Sequence, residues 1–335
     1  MVFPTSEQPN AVMQLALAQR KSPSIALYPG EVPAYGIPRI AIDQLEWMLF
    51  QLREQPNRDR GVHQARKSAK RLRSVLRLVR DELGYFRYRQ ENVVLRDVAR
   101  RLSPVRTSAV FIESVDAFAA SERDPLSADA RSDLRRSLLA RHETLANSVL
   151  EHPQLMTDVI VTLLTTRSRY RGWPVASAAR VTAHPDIRAF RDSYAAIGPG
   201  LHRTYRRGRA ALSVAAGDRS MHNMHMWRKR VKYLRYQMNV LVNCQPDVIG
   251  PATQDLSALG DVLGEEHDYA ELGELIAGEP SFVPNPQQRF RYLTSLVAHR
   301  MELQAQALRI GARLYDETPD AFVSRIGRHW DASRL

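Results

Sequence analysis

Apolar residues recur along most of this chain at the spacing of an α-helical face, from about residue 40 to the end. A helix brings residues i, i+3, i+4 and i+7 to one side, and windows with that apolar spacing follow one another. The alternation typical of a half-buried strand is nearly absent. The pattern therefore predicts an all-α fold. We predict helices over residues 40–54, 60–82, 87–102, 105–121, 128–149, 153–169, 174–181, 186–195, 198–216, 220–243, 250–264, 266–277, 285–315 and 319–332.

The first 38 residues depart from this pattern because they are rich in proline and other turn formers. They predict a loosely ordered leader, residues 1–38, with one short helix around residues 9–20. An apolar run at residues 11–18 is short for a signal-peptide core and has no basic region before it, so we expect no export. No stretch of the sequence reaches the roughly 18 apolar residues of a membrane span. We therefore expect a cytoplasmic protein whose folded domain occupies residues 39–335.

Two segments, residues 63–73 and residues 225–235, carry the same pattern of basic residues. They read HQARKSAKRLR and HMWRKRVKYLR, and both fit H-x-x-R-K-x-x-K-x-x-R. On a helix these five positions fall within an arc of roughly 120°, and the opposite side is apolar in both segments. Each segment is thus predicted to pack by one face and to display a row of cations on the other. The first row is His63, Arg66, Lys67, Lys70 and Arg73, and the second row is His225, Arg228, Lys229, Lys232 and Arg235.

Acidic residues are missing around both rows, between residues 63 and 80 and between residues 222 and 243. A solvated helix surface usually mixes signs, because like charges one turn apart repel each other and weaken the helix. A solvated surface remains one interpretation of each row. The duplication of the pattern favours another interpretation, which is that an anionic ligand binds there.

The segments that follow the two rows, residues 95–110 and residues 256–272, are also alike. Each places aliphatic residues at helical spacing, then a break at Ser103–Pro104 or at Gly264, then another helix. These features predict an internal duplication into two pseudo-symmetric helical half-bundles, about residues 40–165 and 190–332. The two basic helices would then occupy equivalent positions and, if they face one another, line a shared groove or cavity.

Composition narrows the class of ligand. The chain has 335 residues, with 48 Lys and Arg against 36 Asp and Glu, and a formal net charge of +12. That balance favours polyanionic partners such as nucleic acid, polyphosphate or an anionic membrane surface. The single cysteine, Cys244, excludes an internal disulfide and a cysteine-based metal cluster. Because only 7% of the residues are aromatic, Tyr233 and Tyr236 beside the second row are interpreted as packing or phosphate-bonding residues rather than base-stacking platforms.

The paired basic helices, with LRDVARRLSPVR after the first and LGDVLGEEHD after the second, resemble the CHAD domain, the conserved histidine α-helical domain. The resemblance covers about residues 40–332. It implies two four-helix-like halves around a basic central cavity, non-enzymatic binding of inorganic polyphosphate, and association with polyphosphate granules. Because the chain has no E-x-E-x-K strand of a tunnel-type triphosphatase, we expect a stand-alone CHAD protein. We expect no catalytic residue, metal or cofactor.

The resemblance also assigns binding residues. It implies that the cations of both rows hold polyphosphate, with His63 and His225 capping the rows. The segment LHRTYRRGRAAL, residues 201–212, resembles the basic helix that precedes the second motif in the family. Thr107 stands where the family usually has an aspartate that could orient the preceding arginine. The further polyphosphate-binding residues implied by the resemblance are Arg96, Arg106, Arg206 and Arg209.

Other functions remain open. An RNA- or DNA-binding protein would share the basic charge, although nucleic acid is expected to be the weaker ligand. The His267–Asp268 pair suggests a metal-dependent phosphohydrolase, but that chemistry needs a further histidine upstream and an aspartate downstream that converge on a metal. His222 and His225 share a helix face, yet the neighbouring methionines scatter around the helix, so a soft-metal site is not expected.

Overall fold

The computed structural model describes residues 21–173 and 190–333, and all regular secondary structure in these ranges is helical. The prediction of an all-α fold is confirmed. Short 3₁₀ turns lie at Tyr194–Ala196 and Pro280–Phe282. The α-helices are α1 (Pro33–Arg53), α2 (Arg58–Leu78), α3 (Arg80–Leu83), α4 (Tyr85–Arg101), α5 (Ser103–Ala119), α6 (Ala128–Leu150), α7 (Pro153–Arg171), α8 (Gly198–Gly217), α9 (Met221–Leu241), α10 (Pro246–Gly278), α11 (Pro286–Leu314) and α12 (Pro319–Ala332).

Side-chain caps fix where the two basic helices, α2 and α9, begin. The Asn57 side chain accepts a hydrogen bond from the backbone N–H of Arg60 at 2.8 Å, and the Ser220 hydroxyl accepts one from the N–H of Asn223 at 3.4 Å. Each cap satisfies a donor that the first helical turn leaves without an intrahelical partner. Both basic rows therefore start in the second turn of a capped helix, at His63 and His225.

The apolar faces opposite the basic rows are buried, as the periodicity predicted. Ala65 and Leu72 on α2 and Trp227 and Val231 on α9 are fully inaccessible to solvent. They belong to a large core that also draws on α1, α4, α7 and α8. A smaller core lies among α5, α6, α10 and α11. The long helix α10 contributes to both cores and packs against α9 and α11.

Helices α2 and α9 pack directly against each other. The Ser74 hydroxyl on α2 donates a hydrogen bond to the backbone carbonyl of Tyr233 on α9 at 2.8 Å. In return, the Gln237 side-chain amide on α9 donates to the backbone carbonyl of Ser74 at 3.2 Å. Ser74 and Gln237 have no solvent exposure, so this pair of hydrogen bonds is a buried polar link. It fixes how the two helices, and therefore the two rows of cations, are placed relative to each other.

Residues before the predicted boundary at residue 38 already belong to the packed structure. Helix α1 begins at Pro33, and Leu27 is fully buried, with its backbone N–H donating to the carbonyl of Val240 at 2.9 Å. Proline marks a helix start here because the first turn needs no backbone N–H from it. The predicted helix at residues 9–20 lies outside the described residues.

Two predicted helix boundaries differ from the structure. The predicted break at Gly264 is wrong, because α10 runs without interruption from Pro246 to Gly278. A glycine inside a helix costs only about 1 kcal/mol, which packing can offset; a Cβ at residue 264 would lie 3.7 Å from Nη2 of Arg228, an ordinary van der Waals distance, so the helix passes this position without steric conflict. The predicted helix 60–82 is divided at Val79 into α2 and α3. The predicted helices 174–181 and 186–195 fall mainly outside the described residues, and the internal duplication stays a prediction.

A pair of glycine variants tests how closely α8 approaches the end of α2. A Cβ on Gly200 would overlap the backbone carbonyl of Leu78, whereas a Cβ on Gly273, inside α10, meets nothing within 4 Å. Gly200→Ala should lower the free energy of unfolding by about 1–3 kcal/mol, because a backbone neighbour cannot yield. Gly273→Ala should raise it by about 0.5–1 kcal/mol through helix propensity. Denaturant titration measures both, and a neutral Gly200→Ala would contradict the close approach.

Candidate anion-binding cavity

A solvent-open cavity of about 710 Å³ lies where α2, α5, α9 and α10 meet. Helices α2 and α9 supply most of its cations, and α5 and α10 supply the other lining residues. The predicted site residues that line it are His63, Arg66, Lys70, Arg73, Arg106, His225, Arg228, Lys229 and Lys232.

Five of the predicted site residues do not line this cavity. Arg96 pairs with the neighbouring Asp97 at 2.8 Å, and Arg209 donates from Nε to the backbone carbonyl of Tyr315 at 3.2 Å. Arg206 is exposed on α8. Lys67 and Arg235 are not part of the lining, although Lys229 and Arg73, at the matching positions of the other row, are. Arg235 pairs with Asp261 at 3.4 Å. The position of a cation in the motif therefore does not by itself decide whether it faces the cavity.

The cations of α2 that line the cavity have no carboxylate partner among the described residues. Arg66 donates from Nη1 to the backbone carbonyl of Ala99, and Arg73 donates from Nε to the amide oxygen of Asn92 at 3.1 Å. The Nε atom of Arg66 is buried without any hydrogen-bond acceptor. Burial, followed by the charge of Arg106, lowers the pKa of Arg66 to about 10. The positive charge of Arg66 is therefore poorly compensated by its surroundings, and a bound anion would lower the free energy of this arrangement.

Lys70, a member of the α2 row, lies close enough to Arg228 of the α9 row to be affected by its charge. Water still reaches this side chain through the open cavity, yet protein atoms surround it closely. The resulting loss of solvation, followed by the charges of Arg66 and Arg228, lowers the pKa of Lys70 to about 8. The same causes act on Lys232 from the α9 side, where desolvation and then Arg228 and Lys70 lower its pKa to about 7. The pKa values of both ammonium groups therefore lie close to neutral pH.

One cavity cation of α9, Arg228, differs from those of α2 because a carboxylate of α10 pairs with it. Arg228 lies 3.6 Å from the Asp268 carboxylate, while its Nε is buried without an acceptor. Burial lowers the pKa of Arg228, and Asp268 offsets part of that effect. The prediction from sequence missed this acidic wall, although the spacing of its members along α10 is that of one helical face. The carboxylates of α10 that line the cavity are Asp261, Glu265, Asp268 and Glu271.

Arg106 on α5 is held in a fixed position despite Thr107. Its two terminal nitrogens donate to the two oxygens of Glu113, at 2.6 and 2.8 Å. This bidentate pair supplies, from two turns further along the same helix, the orientation that an aspartate at position 107 would have supplied. Glu113 was not predicted as a site residue. It both orients Arg106 and adds a negative charge to the cavity wall.

The two histidines of the motif are neutral at physiological pH. Burial, followed by the charges of Arg106 and Lys67, lowers the pKa of His63 to about 4. Burial and then the neighbouring His267 lower the pKa of His225 to about 4. The rings of His225 and His267 lie 4.4 Å apart, and Nδ1 of His225 is buried without a partner. Both motif histidines can therefore donate one hydrogen bond to an anion but add no charge to it.

The residues behind the metal hypotheses have other contacts. His267 lies 3.3 Å from the Glu271 carboxylate, and Asp268 faces Arg228. Glu266 is buried and bonds Arg300 and Gln304. In residues 21–173 and 190–333, no group of three or more His, Cys, Asp and Glu side chains is arranged to hold a metal ion. Nor does any described helix combine the length and apolar character needed to cross a membrane.

Comparison with known proteins agrees with this architecture. The family model of the CHAD domain matches residues 41–277 of the chain. The crystal structure of the CHAD domain from the plant Ricinus communis is similar in fold, with a TM-score of 0.50 and 17% sequence identity. That similarity covers 92% of this chain and 96% of the plant chain. No curated protein matches this chain in sequence.

The lowered pKa of Lys232 predicts a pH-dependent cost in stability. Below pH 7 the lysine is charged in both the folded and the unfolded chain, so the cost is fully present. Between about 7 and its ordinary pKa of 10.5, the unfolded chain binds more protons, and stability rises with pH. Lys232→Met should therefore be more stable than the wild type at pH 6 by about 1 kcal/mol, the low end expected for a half-buried ionic group.

Denaturant unfolding at pH 6, 8 and 10 checks this prediction. The advantage of Lys232→Met should shrink as pH rises. Arg309→Met, at an exposed position of α11, is the matched loss of one charge. An advantage that stays constant from pH 6 to pH 10 would show that the gain comes from packing and not from the removed charge.

Proposed function

Because the chain belongs to the CHAD domain family, we propose that it binds inorganic polyphosphate in this cavity without turning it over. Family membership rests on the match over residues 41–277, which is well over half of the chain. The proposal includes a cytoplasmic location in which polyphosphate binding holds the protein at polyphosphate granules. The cavity supports this proposal through the geometry and charge of its lining.

One observation carries the proposal. The Nε atoms of Arg66 and Arg228 are buried without acceptors, and both residues line the same cavity from different helices. More than about 90% of buried polar groups in proteins have a hydrogen-bond partner, and a charged donor without one is costly. Two guanidinium groups that each keep one buried nitrogen without an acceptor among the described residues, around one cavity, favour a ligand that brings several anionic oxygens.

The chemistry of polyphosphate suits this lining. The polymer carries about one negative charge per phosphate and has no base to be recognised. Arginine can grip two phosphate oxygens with its planar fork, whereas lysine acts as a point charge that tolerates different positions of the chain. A concave wall strengthens each contact relative to an open surface. The arginines and lysines of this cavity thus provide both kinds of contact along one wall.

The aromatic residues of the cavity give nucleic acid less to hold. Three tyrosines line it, but Tyr236 and Tyr269 are only 7% and 3% exposed. Only Tyr233 among these three is partly exposed, and the guanidinium of Arg77 already stacks over its ring at 4.2 Å. Recognition of single-stranded nucleic acid usually relies on aromatic faces available to bases. This arrangement favours a ligand made of phosphate groups alone.

The wall of α10 makes the two basic rows unequal. Asp268 pairs with Arg228 of α9, whereas Arg66, Lys70 and Arg73 of α2 form no ion pair with a described carboxylate, although the charge of Asp268 also acts on Lys70. The sequence predicted two equivalent rows, since the motifs are the same. The surroundings of the rows instead favour the α2 row as the stronger attraction for an anion.

Two matched double variants test the function and this inequality together. Lys70→Gln/Arg73→Gln should weaken polyphosphate binding by about a hundredfold, since each charged hydrogen bond is worth about 1.5–3 kcal/mol. Arg228→Gln/Lys232→Gln removes one arginine and one lysine from α9, including the arginine paired with Asp268, and should cost less. Arg309→Gln/Arg313→Gln, at exposed positions of α11, is the control for net charge. Calorimetric titration with long-chain polyphosphate measures all three.

Wild-type affinity in both cavity variants would show that polyphosphate does not bind in the cavity. Equal losses in the two variants would contradict the inequality of the rows. A competing RNA that displaces polyphosphate at equal phosphate concentration would favour the nucleic-acid alternative. Release of orthophosphate in the presence of Mg²⁺ or Mn²⁺ would overturn binding without turnover.

The lysine pKa values predict that binding weakens as pH rises. Lys70 and Lys232 lose their charge above pH values of about 8 and 7, while the arginines of the cavity remain charged at pH 9. Affinity for polyphosphate should fall by at least about tenfold from pH 6 to pH 9, given the worth of a charged contact. Lys70→Gln/Lys232→Gln should flatten this dependence. Titrations at pH 8 in buffers of different ionisation enthalpy should also reveal proton uptake on binding, and no uptake would contradict the assignment.

A further inference from the structure

We propose that a second phosphate-binding site lies outside the cavity, in a cluster of five arginines, and that a long polyphosphate chain leaving the cavity continues into it. This inference rests on the proposed function of the cavity. The cluster occupies the junction of α2, α3, α8 and α9. None of its members stands at a fixed position of either basic motif, although Arg230 lies within the second segment. They are Arg77, Arg80, Arg203, Arg207 and Arg230.

The cluster forms a shallow depression rather than a second cavity. The space enclosed by its side chains is only about 20 Å³, and Tyr88 and Thr204 complete the lining. A ligand would therefore rest on the guanidinium groups and not enter between them. Gly200 lies at the floor, where its missing side chain lets α8 touch the end of α2 at Leu78. That close approach brings the arginines of α8 beside those of α2.

The arginines repel one another and have little acidic compensation. Burial lowers the pKa of Arg207, and the next causes are the charges of Arg230, Arg80 and Arg203. Only Arg203 pairs with a described carboxylate, that of Asp81 at 2.6 Å, and its Nη2 is nevertheless buried without an acceptor. Folding has therefore placed cations together at a cost. An anion with several oxygens would remove that cost.

The other two arginines lie against aromatic rings. Arg77 stacks over Tyr233, and its Nη1 donates to the backbone carbonyl of Arg73 at 2.6 Å. Arg80 lies over the ring of Tyr88 at 5.3 Å. Stacking holds a guanidinium plane in place while leaving its edge free for oxygen atoms. The cluster thus presents oriented donors at its surface.

The cluster continues the path of the cavity. Arg66, Lys70 and Arg73 line the cavity, and Arg77 and Arg80 line the depression, at successive spacings of four, three, four and three residues. Within α2 this spacing keeps cations on one face, and α3 follows directly. The eleven residues of α2 from Arg66 to Arg77 at helical rise correspond to about 17 Å. Tyr233 lines both sites, so they adjoin at this ring.

A short phosphate oligomer can occupy the cavity alone, whereas a long chain can occupy both sites at once. The second contact is then intramolecular and gains from a high effective concentration. Arg80, Arg207 and Arg230 make no ion pair with a described carboxylate, so replacing them leaves no buried acid without a partner. The test variant is Arg80→Gln/Arg207→Gln/Arg230→Gln, and the charge-matched control is Arg309→Gln/Arg313→Gln/Arg328→Gln, at exposed positions of α11 and α12.

Calorimetric titration with tripolyphosphate and with long-chain polyphosphate gives the readout. In the test variant, affinity for the long chain should fall at least tenfold, while affinity for tripolyphosphate should stay within about twofold of the wild type. The slope of log affinity against log salt should fall by about 2 for the long chain, by analogy with about 0.7 per phosphate in single strands. The melting temperature should hold or rise, because repulsion has been removed. The control should change long-chain affinity much less.

Three outcomes would overturn the proposal. Long-chain affinity equal to that of the wild type would show that the chain ends at the cavity. Equal losses for both ligands, or a lowered melting temperature, would mean that the arginines support the fold or the cavity instead. A single-stranded oligonucleotide that binds the wild type more tightly than polyphosphate at equal phosphate, and loses more affinity in the test variant, would assign the cluster to nucleic acid. Failure of the wild type to bind either phosphate ligand would instead refute the function proposed for the cavity.

Discussion

The direct packing of α2 against α9 is the constraint on which the rest of the structure depends. The apolar faces of both helices lie in one core, and the buried link from Ser74 to Tyr233 and Gln237 fixes their contact. Once those faces are buried, the opposite faces have no freedom to separate. Two rows of like charge must then share one space, although Coulomb repulsion opposes that arrangement. Burial of apolar surface holds the charges where electrostatics alone would disperse them.

The state of the charged groups follows from that constraint. Lys70 and Lys232 influence each other from opposite helices, and the pKa of each lies well below its ordinary range. Arg66 and Arg228 remain charged because guanidinium groups hold their protons far more strongly, and each keeps a buried Nε without an acceptor. The cavity therefore stores unfavourable electrostatic free energy in the unbound protein. A polyanion would recover part of that free energy on binding. In the unbound protein, burial of the apolar faces behind the two rows keeps the cavity folded.

Carboxylates reduce the unfavourable electrostatic free energy of the cavity. Asp268 faces Arg228, and Glu113 grips Arg106 with both oxygens. Such pairs orient the arginines and lower the cost of bringing them together, but they also compete with a ligand for the same donors. The row on α2 has no comparable partner among the described residues, and neither do Arg80, Arg207 and Arg230 outside the cavity. Positive charge without an ion-pair partner among the described residues thus extends from the α2 row in the cavity to the arginine cluster.

Much of the fold and part of the site could be predicted from the sequence, because they depend on local spacing. The helical period identified the buried faces, such as Ala65 and Leu72, and the motif identified the cations that line the cavity from α2 and α9. The same reasoning failed at Pro33, where proline begins a helix, and at Gly264, where the helix continues because one interior glycine costs too little to end it. The family resemblance also assigned Arg96, Arg206 and Arg209 to the binding site, and these three residues lie outside the lining of the cavity.

Spacing along a helix determines which residues share a face, and the sequence by itself therefore determined the two rows and the apolar stripes behind them. What stands opposite a face depends on contacts between residues far apart in the chain. Only the tertiary structure decided that α10 sets carboxylates against one row, that Glu113 takes the place of an aspartate at Thr107, and that Arg207 joins Arg80. The physical reason is that a side chain's charge state and partners come from the neighbours that packing supplies, and packing is a property of the whole chain.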